Sequence, residues 1–267
     1  MARKIHGPKL TESPIGYVAY RGPSMIDGSP IILVVNKIEN SSANEKTGAM
    51  VQTWILRESD LAPQVHVKAG SDTAICGDCR HASGNGCYVQ VHNAPRSVWD
   101  AFNRGRYATA PIHVLADVLA GKRVRCGSYG DPAAVPFEVW NGLLSRSKSN
   151  TGYTHQWRKC DQRFRSILMA SCDAGFEVHH AENKGWRVFY VKSAGDPTAL
   201  ETGSMLESRK LVACPASKEA GRKSTCDRCG LCNGARSEDD RRASIVILPH
   251  GARASRVKNV VEVLATI

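Results

Sequence analysis

Seven of the ten cysteines in this 267-residue chain fall within residues 76–87 and 214–232, and that clustering limits the possible folds more than any apolar run does. Residues 1–8 carry basic side chains with no apolar segment behind them, so they do not read as a secretory signal, and the chain is read as cytoplasmic. Cytosolic reductants oppose disulfides, and clustered thiols there more often hold metal. Cys226-Asp227-Arg228-Cys229-Gly230-Leu231-Cys232, with Cys214 upstream, offers four thiolates, as a structural zinc or an iron–sulfur cluster requires. The two-residue gaps let neighbouring thiolates converge, Gly230 permits the tight turn, and Lys223 and Arg228 partly offset the thiolate charge. The other group, Cys76, Cys79 and Cys87, has no equally clear fourth ligand. A structural site would recruit His81 or Cys126, whereas a three-cysteine cluster leaves one iron open to a cofactor or substrate. Incidental loop thiols, or disulfides, are the plain alternatives.

Around the cysteines the composition is that of a globular protein. Hydrophobic residues at 42% exclude intrinsic disorder, and no apolar run approaches the roughly 18 to 20 residues that cross a bilayer, so no membrane partner is expected. Residues 1–75 read as a β-rich N-terminal module with its strongest strands at 30–35 and 50–56, joined by a polar link over 40–48. Within that link Glu45-Lys46-Thr47-Gly48 lacks the glycine-rich lead of a phosphate-binding loop and reads as a turn. From about residue 110 short apolar runs alternate with helical stretches. Strands are expected at 122–127, 150–155, 167–172, 186–191, 211–213 and 245–248, and helices at 136–144, 161–166, 175–183 and from about 255. The expected fold class is α/β, a (βα) barrel-like or partial-barrel core over 76–267 bearing the cysteine-rich metal loops and joined to the β-rich module as one unit.

In parallel βα architectures function gathers at the carboxyl ends of the strands. Asp131 follows the first of these strands in Gly127-Ser128-Tyr129-Gly130-Asp131-Pro132, His155 and Gln156 end the second, and Asp173 ends the third. Asp131, His155 and Asp173 are therefore the candidate catalytic residues, lining one cleft, with an ionised Asp to orient a ligand or take a proton and His155 to donate or shuttle one. The bland reading of each is a turn cap or a satisfied strand-end residue. The net charge of +11 suggests a polyanionic partner, and its excess sits around the cysteine groups, +4 in 76–125 and +4 in 201–267 against +1 and +2 elsewhere. Nucleic acid is the expected partner, contacted by Arg222, Lys223, Arg228 and Arg236, with Arg104, Arg106 and Lys122 as a second group.

Cys76-Gly77-Asp78-Cys79 through Cys87-Tyr88-Val89, the Gly127–Pro132 segment, Thr151-Gly152-Tyr153-Thr154-His155-Gln156-Trp157, Met169-Ala170-Ser171-Cys172-Asp173 and Cys229-Gly230-Leu231-Cys232 resemble an uncharacterised family of bacteriophage and prophage proteins. The resemblance spans about 20–234 and implies a bacterial host cytoplasm, with no activity to carry over. More remotely, a three-cysteine loop ahead of βα units is similar to radical S-adenosylmethionine enzymes and related phage three-cysteine proteins, although their gaps of three and two residues are here two and seven. That spacing leaves S-adenosylmethionine unsupported as a cofactor. A second remote likeness is to base-exchanging transglycosylases, which implies zinc at the second cysteine group and acid/base and nucleophile roles for Asp131 and Asp173. The leading expectation is an iron–sulfur or zinc metalloprotein acting on nucleic acid or a nucleotide-derived substrate. Its competitor is a non-catalytic, zinc-stapled nucleic-acid-binding protein.

Overall fold

The computed structural model describes residues 14–39, 45–82, 85–193, 196–218, 220–221, 224–249, 254 and 257. Three strands open it: β1 (Gly16–Pro23), β2 (Pro30–Asn36) and β3 (Val51–Arg57), paired antiparallel in that order. β2 and β3 are buried almost end to end, which is why they read as unbroken apolar runs rather than as alternating ones. Then come α1 (Pro63–Ala69), α2 (Thr73–Cys76), α3 (Ala94–Asn103), the short β4 (Ala108–Thr109), α4 (Ile112–Val118) and β5 (Arg123–Tyr129). β4 pairs parallel with β1, and β5 pairs parallel with β3. The sheet thus runs across the boundary near residue 75, joining the N-terminal strands to the βα region.

From β5 onward every strand pairing is parallel. The elements are α5 (Phe137–Leu144), β6 (Ser149–Thr151), β7 (Tyr153–Thr154), β8 (Met169–Cys172), α6 (Gly175–Asn183), β9 (Val188–Val191), β10 (Leu211–Ala213), α7 (Cys226–Cys229) and β11 (Ser244–Ile247). They form two sheets, ordered β4-β1-β2-β3-β5-β6 and β10-β11-β9-β8-β7. The strand expected over 150–155 is split at Gly152, whose Cβ position would overlap Leu168 and Cys126. Its N–H donates to the Cys232 carbonyl instead of a strand neighbour, and the chain passes there from the edge of one sheet to the edge of the other.

The mixed α/β class with parallel strands is as expected; a barrel is not. β3 already pairs with β2 on one side and β5 on the other, so the antiparallel strands occupy the edge through which a βα barrel would close. The helix expected over 161–166 is a 3₁₀ turn, Gln162–Ser166, started by the Asp161 side chain accepting from the Arg163 N–H. The closing helix from about 255 and residues 40–44 of the polar link lie outside the described residues, while 45–47 form a turn. Trp140, Trp157, Trp186 and Phe164 are fully enclosed in one apolar core that spans both sheets.

Candidate metal centres around one cavity

β7 and β8 pair in parallel, and the passage of the chain from β6 beside β5 into β7 brings Asp131, His155 and Asp173 together from distant parts of the chain. The three do different work. Asp131 accepts the Ala133 N–H at 2.9 Å, capping the 3₁₀ turn Pro132–Ala134, and accepts the His155 N–H at 2.8 Å through its other oxygen. Its own N–H reaches the Ile75 carbonyl at 2.6 Å. With both oxygens engaged by backbone amides, Asp131 positions the strand ends. Burial pushes its carboxyl above the ordinary value, opposed by His155 and the bonds it accepts.

Asp173 turns to side chains. Its Oδ1 lies 2.9 Å from His81 Nε2 and its Oδ2 lies 3.7 Å from His155 Nε2. Burial works against its charge, but the His81 bond, then His155 and Arg80, outweigh it and hold the carboxyl down to about 2. For His155, burial opposes protonation, but the neighbouring Cys79, followed by Asp173 and Asp131, raises the ring to about 10. Behind them Glu177, almost fully buried, takes Arg80 at 3.0 Å and Arg158 at 2.7 Å and accepts the Asp173 N–H.

The first cysteine loop is built onto this platform. Cys76 ends α2, Gly77 turns at φ +58°, and the Cys79 N–H folds back onto the Cys76 carbonyl. The Gln156 side-chain amide donates to the Cys76 carbonyl, Asp78 pairs with Lys159 at 2.8 Å, and Arg80 and His81 reach Glu177 and Asp173. Burial, then Cys79, Asp72 and Cys87, raises the Cys76 thiol well above its usual value. The Tyr129 hydroxyl is buried without a hydrogen-bond partner, in a setting where burial and then Cys76 disfavour its ionisation.

The second cysteine group is anchored as firmly. Cys214 follows β10 and bonds to the Val246 carbonyl, the Cys226 N–H reaches the Lys46 carbonyl at 2.8 Å, and Gly152 holds the Cys232 carbonyl. The guanidinium of Arg187, which is fully buried, donates to the carbonyls of Leu231 and Asn233 on either side of Cys232, both at 2.7 Å. Burial, then the Tyr153 hydroxyl and the surrounding thiols, sets the Cys232 thiol, and the net effect is a rise to about 12. All ten cysteines are free thiols.

Both cysteine groups face one cavity of about 350 Å³, within the range of small-molecule sites. Cys76, Cys79 and Cys87 line one part of it, and Cys214 and Cys226 another. Arg125 on β5 projects into the cavity wall and donates to the Tyr88 hydroxyl at 2.8 Å, while Tyr153 stacks on Phe189 at 4.1 Å between ring centroids. Among the described residues, the donor set whose atoms all lie within 4.8 Å of one another is His81, His155 and Asp173, and no three sulfurs draw that close. Tetrahedral zinc with Zn–S bonds near 2.3 Å would hold sulfurs about 3.8 Å apart. Thiolates that each bind a different iron of a cluster are spread more widely.

Of the cations expected to meet nucleic acid, Arg222 and Lys223 lie outside the described residues. Arg104 and Arg106 are exposed together in the turn after α3, Arg228 on α7 and Arg236 on a loop, and Lys122 is engaged by Glu39 and the Ile38 carbonyl. Sequence reasoning missed Arg125, Tyr88, Tyr153, Glu177 and Arg187. Their lone positions on strands, helix and loop carry no spacing signal, since only tertiary contact gives them partners. No protein-family model matches this chain, and no curated protein or solved structure matches it.

Proposed function

We propose that this chain is a phage-type iron–sulfur enzyme that binds a nucleotide-derived substrate between two cysteine-ligated clusters. The observation that carries the reading is that both cysteine groups open onto the same cavity. In it Cys76, Cys79 and Cys87 hold a cluster with one iron left to the cavity, while Cys214, Cys226, Cys229 and Cys232 hold a second, fully ligated one. The free thiols suit the reducing cytoplasm of a bacterial host. Bound clusters supply electron transfer and an open Lewis-acidic iron; the chain itself encloses the ligand. Arg125 and the Tyr153–Phe189 pair offer a cation and an aromatic face, the two features a nucleotide needs.

The competing reading, a zinc-stapled nucleic-acid-binding protein, draws on the net charge and on the exposed Arg104, Arg228 and Arg236. Metal and sulfide analysis of anaerobically purified protein separates the two. Iron with acid-labile sulfide and broad visible absorption is expected, with Cys79→Ser losing one cluster and Cys229→Ser the other. Stoichiometric zinc without iron overturns the proposal in favour of the binder.

A further inference from the structure

Three separate segments deliver the donors of the His81, His155 and Asp173 set: the cysteine loop, the end of β7 and the end of β8. A simple ion pair accounts for only part of the arrangement. His81 Nε2 meets Asp173 Oδ1 at 2.9 Å, but His155 Nε2 stands 3.7 Å from Asp173 Oδ2, beyond hydrogen-bond reach, and is buried with no hydrogen-bond partner. The two imidazoles meet edge to face with centroids 5.8 Å apart, both with Nε2 turned toward the same carboxylate. An ion among the three donors would give His155 Nε2 the partner it lacks.

The backbone of each donor is fixed by a second layer of contacts, as metal ligands generally are. Asp131 holds the His155 N–H, Glu177 holds the Asp173 N–H, and the His81 carbonyl accepts the N–H groups of Gly86 and Cys87. His81 and His155 line the cavity, and Asp173, almost fully buried, lies behind them. Ion positions left open by the protein therefore face the cavity. Two imidazoles and one carboxylate form a borderline donor set that takes Fe(II), Mn(II), Co(II) or Zn(II) with sites left for a ligand.

We infer that His81, His155 and Asp173 bind one divalent transition-metal ion at the cavity wall, a site that borders the first cysteine group through the Cys79 contact with His155 but whose own donors are nitrogen and oxygen. It goes beyond the iron–sulfur reading and does not depend on it. The probe is Co(II) alone, titrated into chelator-stripped protein under anaerobic conditions and followed by visible spectroscopy. Thiolate ligation adds an intense sulfur-to-cobalt charge-transfer band, whereas nitrogen and oxygen donors give only weak ligand-field bands. One equivalent should bind with the weak bands alone in a Cys76→Ser/Cys79→Ser/Cys87→Ser/Cys229→Ser variant, and the wild type should show the same equivalent beneath the charge-transfer bands of its cysteines. His81→Gln and Asp173→Asn should each weaken it at least 10-fold, with circular dichroism showing that each stays folded. If the variants do not fold, His155→Gln serves in the same titration. Co(II) bound only with charge-transfer bands, or with an affinity that ignores all three substitutions, overturns the site. Loss of iron from the cysteine groups with this Co(II) site intact would instead count against the iron–sulfur reading alone.

Discussion

Arg187 illustrates how a single side chain fixes a cysteine loop through its backbone carbonyls. Its guanidinium is fully enclosed, its two Nη groups bond the carbonyls of Leu231, Asn233 and Ala243, and among the described residues no carboxylate is hydrogen-bonded to it and its Nε has no partner. Burial, then the repulsion of Arg242, lowers it to about 10. The charge is tolerated because three carbonyls that would otherwise lie unsatisfied accept from it. Replacing Arg187 with Met should cost about 3 kcal/mol in denaturant stability, since those carbonyls are left buried and unpartnered. It should also empty the second cysteine group of metal while the first keeps its own; equal loss from both groups would show that Arg187 supports only the general fold. In the sequence Arg187 is one of several basic residues entering a strand, and nothing there distinguishes it. The seven clustered cysteines are legible because short gaps alone make thiols neighbours. His81 was legible only as an optional fourth ligand, since its partners Asp173 and His155 come from strands whose adjacency is a tertiary fact.

At the scale of elements, the most readable pieces are those whose signal is local. β2 and β3 announce themselves by apolar runs, and α6 runs over Gly175–Asn183 as its pattern suggests. β6 and β7 read as one strand because the interruption at Gly152 comes from Leu168 and Cys126, which periodicity does not record. The pairing of β3 with β5, and the insertion of β11 between β9 and β10, are also invisible locally, and they decide where the cavity lies. The first cysteine loop depends on both kinds of information. Gly77 is readable as a turn residue, yet its constraint is double: φ is +58°, and an added Cβ would overlap the Gln156 amide that donates to Cys76. Gly77→Ala should therefore cost about 2 kcal/mol from strained backbone alone. It should release metal from Cys76, Cys79 and Cys87 and leave the second group loaded, as measured by metal content and thermal unfolding. A variant that retains full metal at the first group would mean that the loop accommodates the side chain by moving as a unit.

Across the whole molecule, two acidic side chains tie loops and helix to the second sheet beside its apolar core. Asp196 accepts from the Tyr190 hydroxyl, the Gly175 N–H and both the N–H and the hydroxyl of Thr198, tying β9 to the start of α6. Asp240 accepts from the backbone of Arg236 and Arg242 and from the Arg242 guanidinium, while its carbonyl receives Arg209. Burial opposes the charge of both, but those bonds outweigh it, and both carboxyls are held below the ordinary value. A carboxyl lowered by folding adds stability above its unfolded pKa, near 3.9, and loses that stability as pH falls through this value toward the folded one. The contribution of these two carboxylates should therefore be constant near neutral pH and weaken below about pH 4. Substituting Asp196→Asn should cost about 2 kcal/mol at pH 7, where the charge-assisted bonds are lost. The same variant should show a shallower decline between roughly pH 4 and 2, because one of the protons taken up on unfolding is no longer needed. Comparing wild type and variant under the same metal loading cancels the acid release of thiolate-bound metal. Parallel acid profiles for the two proteins would show that Asp196 gains nothing from its charge and acts through shape alone.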